Sequence, residues 1–168
     1  FVDAYSLGNR VWFDSDKNGE RNGAETGIDG VTVNLYNEND PTTIIMTATT
    51  SGGGFYRFDN LSADTYIVEV VPPAGYASTV DAGDPDTDLD DDDDNGVNFV
   101  GSNVRSQPVT LGPGNVEPTG DNNPTPNPDA VNGEAPDNRS NRTVDFGFIT
   151  SVATSEKQLT ATIMMDTD

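Results

Sequence analysis

The sequence predicts an all-β sandwich, and three observations carry that prediction. Short runs rich in β-branched and aromatic residues are separated by clusters of Gly, Pro, Asn and Asp. Several runs alternate apolar with polar residues, the period of a strand buried on one face. No stretch before residue 150 repeats apolar residues at helical spacing.

Leu7 to Phe13 reads as the first strand. Val31 to Tyr36, V-T-V-N-L-Y, alternates cleanly. Thr43 to Thr50 is β-branched and runs into Ser51-Gly52-Gly53-Gly54, a flexible turn. Phe55 to Phe58 and Tyr66 to Val71 follow, and Pro72-Pro73 stops the latter because proline cannot donate to a ladder. Little periodicity is visible between Pro72 and Asn103, apart from a dense acidic run. Pro108 to Leu111 is a short strand, 112 to 142 a long irregular loop, and Thr143 to Ile149 the closing strand. That makes about seven strands, as many small sandwiches have. The expected core is Val11, Phe13, Val31, Val33, Leu35, Ile45, Phe55, Phe58, Leu61, Tyr66, Val68, Val70, Val109, Leu111, Val144, Phe146 and Phe148. Trp12 is expected to pack on the sandwich.

Between the first two strands, residues 14 to 25 read D-S-D-K-N-G-E-R-N-G-A-E. They fit the calcium-loop pattern D-x-[DN]-x-[DN]-G-x5-E. Asp14, Asp16 and Asn18 offer side-chain oxygens at loop positions 1, 3 and 5. Glu20 stands at position 7, where the backbone carbonyl is the ligand. Asn22 stands at position 9, and Glu25 ends the loop with a carboxylate able to bind through both oxygens. Gly19 occupies position 6, where the chain must turn sharply. An EF-hand would need a helix on each side. Here Arg10-Val11-Trp12-Phe13 precedes the loop as a strand and T-G-I-D-G follows as a turn, so the loop chemistry is expected in a β-protein.

The 168 residues carry 29 acids against 8 bases, a formal charge of −21. Such a balance argues against nucleic acid or an anionic membrane surface as partner. It also destabilises a compact state by self-repulsion unless cations offset it. The absence of His and Cys removes the usual zinc sites, thiol nucleophiles, disulfides and imidazole bases. No apolar run approaches the roughly 20 residues of a membrane helix. Phe1 is not an initiating methionine, so a processed or excised chain is expected. The acids cluster in loops at metal-ligand spacing, with no base–nucleophile constellation, which argues against catalysis. A loop of this kind suits an extracellular setting, where calcium is plentiful.

The runs S-L-G-N-R-V-W-F-D-S-D-K-N-G, E-T-G-I-D-G-V-T-V-N-L-Y, G-F-Y-R-F-D-N-L-S-A-D-T-Y-I-V-E-V-V-P-P-A-G-Y and T-V-D-F-G-F resemble, in order, the B domains of bacterial serine–aspartate-repeat surface adhesins. The resemblance covers nearly all of residues 5 to 150. It implies a prealbumin-like, Ig-like β-sandwich of the collagen-adhesin B type, which binds calcium and serves as a rigid spacer or stalk unit on the bacterial cell surface. The family's loop carries over onto Asp14, Asp16, Asn18, Glu20 and Glu25. Some related domains hold an internal Lys–Asn isopeptide. Here the two lysines are Lys17, inside the calcium loop, and Lys157, beyond the closing strand, so no such crosslink is expected.

Residues 84 to 96 read D-P-D-T-D-L-D-D-D-D-D-N-G. Asp91, Asp93, Asn95 and Gly96 repeat the first half of the calcium loop, but position 12 falls on Ser102. The run resembles the family's second acidic loop, so more than one Ca2+ is expected, with Asp91, Asp93 and Asn95 as ligands. Asp121, Asn122, Asn123, Asp129, Asp137, Asn138 and Asn141 lie in the long loop without recognisable spacing.

The expected domain is 1–150, followed by a tail, 151–168. In the tail, Ser151 to Ser155 form a polar linker, and Leu159, Ala161, Ile163 and Met165 alternate with Gln158, Thr160, Thr162 and Met164. This is an extra strand with one apolar face. Either it folds back as a further strand or begins another domain, or it is donated to the sheet of the next copy. The partners expected are copies of the chain or neighbouring domains, with a host or matrix ligand as the alternative. The function expected is a stalk, spacer or filament unit, with an adhesive module as runner-up.

Overall fold

Two β-sheets pack face to face across one apolar core in a computed structural model that describes residues 3–79, 83–87, 92–113 and 135–151. The strands are β1 (Tyr5–Phe13), β2 (Thr32–Asn37), β3 (Asp40–Thr49), β4 (Phe55–Leu61), β5 (Asp64–Val71), β6 (Tyr76–Ser78), β7 (Asn98–Val100), β8 (Asn103–Arg105), β9 (Val109–Leu111), β10 (Ser140–Asn141) and β11 (Phe146–Thr150). The described residues include no α-helix, only a 3-10 turn at Asp137–Arg139. The all-β sandwich is therefore as expected. Residues 114–134 and the tail from 152 onward lie outside the described residues.

One sheet runs β10-β1-β11-β6, with β4 also paired to β1. The other runs β3-β2-β5-β8-β7, with β9 also paired to β5. The first and last long strands lie side by side and parallel, with Val11, Trp12 and Phe13 opposite Phe146, Gly147 and Phe148. β10 extends that parallel contact to Ser6 and Leu7.

The seven strands read from the sequence all appear, and four short ones, β6, β7, β8 and β10, join them. The closing strand starts at Phe146 rather than Thr143. Upstream of it the chain is extended and fastened: Val144 N–H donates to the Gly8 carbonyl, and the Tyr56 hydroxyl donates to the Val144 carbonyl at 2.6 Å. Most of the expected core is buried. Three residues depart from it. Ile45 is 47% exposed because β3 is an outer strand open on both faces. Phe13 and Phe55 are half-buried at strand ends, Phe13 edge-on against Tyr76 and Phe55 beneath the Arg10 guanidinium. Tyr5, Leu7, Tyr56 and Val104 take their places in the core. Trp12 is fully buried.

A polar network sits within the second sheet. Glu69, on β5, accepts hydrogen bonds from Tyr36 Oη (3.0 Å), Asn103 Nδ2 (3.0 Å) and Arg105 Nε (2.7 Å), while the Arg105 guanidinium covers the Tyr36 ring. Burial opposes the charge on Glu69, but Arg105 and the Tyr36 hydroxyl outweigh it and hold the carboxyl below its ordinary range.

Candidate metal centre

β1 delivers Asp14 to the base of the loop, and the surrounding backbone fixes that base. Phe13 N–H donates to the Thr26 carbonyl, Ile28 N–H to the Val11 carbonyl, and Asp14 N–H to the Phe148 carbonyl. Gly27 is required where these chains meet. A Cβ there would lie 1.7 Å from the Gly53 carbonyl oxygen, so only glycine lets the backbones approach so closely.

The loop closes on its own side chains. Asp14 is fully buried, with Oδ1 accepting from Lys17 N–H (2.6 Å) and Oδ2 from Gly19 N–H (3.0 Å). Asp16 accepts from Asn18 N–H and from Asn22 Nδ2, the latter at 2.9 Å. Glu25 Oε1 accepts from the N–H and hydroxyl of Ser15, and Oε2 from Asn22 N–H. Gly19 has φ +81°, the left-handed turn that position 6 demands. Through these contacts one carboxylate oxygen from each of Asp14, Asp16 and Glu25 lies within 4.8 Å of the other two. Like charges this close repel unless a cation sits among them. The donors are all hard oxygens, the chemistry calcium takes. The triad therefore fits a divalent cation.

Asn18 is exposed, and its Oδ1 accepts from Glu20 N–H at 2.8 Å. Glu20 is held by the second acidic run. Asp94 N–H donates to the Gly19 carbonyl at 2.9 Å and Arg21 N–H to the Asp92 carbonyl, so Glu20 and Asp93 stand opposite one another as an antiparallel bridge. In such a non-hydrogen-bonded pair, a residue's own N–H and C=O point away from the partner. The Glu20 carbonyl is thus turned away from the acidic run.

The structure places the other candidates differently from one another. Asp93 is half-buried beside Glu20, and its carboxylate is not one of the clustered three. Asn95 is buried and holds the closing segment: its N–H donates to the Asp145 carbonyl and its Oδ1 accepts from Asp145 N–H. Asp91 lies outside the described residues, as do Asp121, Asn122, Asn123 and Asp129. Between Asp93 and Asn95 stands Asp94, which the sequence reading did not single out. It is fully buried, accepting from Gly96 N–H (2.8 Å) and Thr79 Oγ1 (3.2 Å). Burial, and with it the charge of nearby Asp14, pushes its carboxyl well above the ordinary range. In a run of five aspartates nothing distinguishes the one that turns inward.

Two buried polar atoms near β1, Asn9 Oδ1 and Trp12 Nε1, have no hydrogen-bond partner among the described residues. Asn9 Nδ2 reaches Asp145 Oδ2 at 3.3 Å. Lys17 is exposed, so it does not enter the core where an isopeptide would form.

Comparison with known proteins matches residues 5–124 to the model of the SdrD B-like domain. A fibrinogen-binding protein of Staphylococcus epidermidis is 48% identical over 83 residues, 49% of this chain and 7% of that protein. Serine-aspartate repeat-containing protein D of Staphylococcus aureus is 40% identical over 110 residues, 66% of this chain and 8% of that protein. Serine-aspartate repeat-containing protein E of Staphylococcus aureus is 42% identical over 100 residues, 54% of this chain and 9% of that protein. The chain thus spans less than a tenth of the curated relatives it matches.

Proposed function

The chain belongs to the SdrD B-like domain family, and from that membership we propose that it is a non-enzymatic, calcium-stabilised spacer of an extracellular surface protein, carrying load between its two ends. The observation that carries this reading is the parallel pairing of β1 with β11. Because the two strands run the same way, the described chain enters at the start of β1 and leaves at the end of β11, at opposite poles. Tension between the poles shears that ladder along its length, loading its hydrogen bonds together rather than one after another.

The metal loop begins where the ladder ends. Asp14, the first loop residue, is tied by its N–H to Phe148 of β11. A cation bridging Asp14, Asp16 and Glu25 would lock the loop against the strand pair it caps, and would offset part of the −21 charge. Further ions at the second acidic run belong to the same reading. Units joined end to end, through the tail or through neighbouring domains, would extend the spacer into a stalk or filament.

A host ligand is the runner-up. It is supported by the name of the Staphylococcus epidermidis relative, of which the matched segment is only 7%. Force spectroscopy on one unit held between reference domains tests the spacer reading. The unfolding force is expected to be higher in millimolar calcium than in chelator. Equal forces would remove the calcium, and no measurable resistance in either condition would remove the spacer.

A further inference from the structure

The second sheet ends on β3, whose outer edge pairs with nothing among the described residues. β3 is the longest strand and is exposed along nearly its whole length, with Ile44 at 49%, Ile45 at 47% and Met46 at 37%. Proteins usually blunt such an edge with charge or by keeping it short. Here residues 41–49, P-T-T-I-I-M-T-A-T, carry no charge in a chain of −21. Pro41 at the start and two register shifts, one on each side of Tyr36, interrupt its pairing with β2.

A second uncharged segment has the matching character. Residues 158–165, Q-L-T-A-T-I-M-M, alternate apolar with polar, as a strand with one buried face does. Two copies of a strongly acidic chain repel one another over most of their surfaces. Contact is cheapest where both partners are neutral, and these two segments are neutral.

Geometry separates the edge from its own tail. Ser151 N–H donates to the Gly75 carbonyl, so the described chain ends beside β6. A groove lined by Pro72, Pro73, Tyr76 and Phe99 places β6 next to β7, on the side of the sandwich opposite β3. Four strand spacings span about 19 Å, and passing between layers adds about 10 Å. The seven residues 152–158 reach about 24 Å fully extended, too short for that surface path.

We propose that the free edge of β3 accepts residues 159–165 of a second copy as an added strand. The proposal rests on the reading of the chain as a unit joined end to end and assigns the surface where the join is made. The full chain lacks cysteine, so introduced thiols report single contacts. Copies carrying Ile45→Cys are mixed with copies carrying Ile163→Cys and oxidised in calcium, with exposed Thr87→Cys as the control position. The expected product is a dimer linked 45 to 163, enriched about tenfold or more over the 87-to-163 product, because docking raises the local concentration. Ile44→Lys with Met46→Lys is expected to abolish the larger species seen by sedimentation while leaving the melting temperature in place. Equal yields at 45 and 87, or a double variant closing 45 to 163 within one chain, would overturn the proposal. A unit that still resists force in calcium would then keep the spacer reading while the β3 assignment falls.

Discussion

The backbone N–H of Asp14 donates to the carbonyl of Phe148 at 2.9 Å. One hydrogen bond thus joins the first residue of the metal loop to the last long strand, across almost the whole sequence. A cation held by Asp14, Asp16 and Glu25 would be coupled to the β1–β11 ladder at that point.

Asp14→Ala is expected to abolish the rise in melting temperature produced by calcium, since ions that bind only the folded state stabilise by mass action. In chelator it is also expected to cost about 1–3 kcal/mol, because the Lys17 and Gly19 N–H groups lose their acceptor. Thermal melts in calcium and in chelator check both. A retained calcium shift would mean that the ion binds elsewhere.

Gly27→Ala is expected to cost about 4 kcal/mol or more, since the new Cβ overlaps the Gly53 carbonyl and neither backbone can yield cheaply. Gly23→Ala, in the same loop with open space around it, should fall within about 0.5 kcal/mol of the parent. Urea titration of the pair separates close approach from a general intolerance of the loop.

Glu69 predicts an acid limb in the stability profile. Its folded pKa lies below the ordinary 4.5. Its contribution is therefore present above the unfolded pKa and lost as pH falls through the folded one. Glu69→Gln should flatten that part of the profile below about pH 4.5 and leave the slope near neutrality unchanged. Denaturant melts across that range decide it, and an unchanged acid limb would count against the Arg105–Glu69 pair as its source.

Trp12 is the single tryptophan, fully buried, and pairs with both Gly147 of β11 and Gly27 at the loop exit. Its emission should be blue-shifted in the folded chain. On chelation and heating it should move red at the same midpoint as the loss of β-sheet circular dichroism. A fluorescence change well before the β-sheet signal falls would mean that the loop base opens on its own.

Much of this was legible in the residues. The alternation in V-T-V-N-L-Y and Y-I-V-E-V-V identified β2 and β5, and the oxygen spacing from Asp14 to Glu25 identified the triad. What stayed hidden has physical causes. β6, β7, β8 and β10 are two or three residues long, too short to show a period. Ile45 carries the composition of a core residue, but an outer strand leaves it in solvent. Asp94 turns inward from a run whose other four residues are chemically identical to it. The adjacency of β1 and β11 depends on pairings between opposite ends of the sequence, which no local pattern records.

The seam between Gly19–Arg21 and Asp92–Asp94 joins two acidic stretches through backbone hydrogen bonds. Both stretches sit among carboxylates, and Asp94 must leave water to complete the contact. A cation that neutralised part of the charge of the first loop would lower the repulsion the second run meets as it docks. The seam should then be the last part to close and the first to open, so that the amides of Arg21 and Asp94 exchange with solvent ahead of those in β2 and β5 when calcium is withdrawn. Calcium would act there as a clock, setting when the acidic run joins the fold.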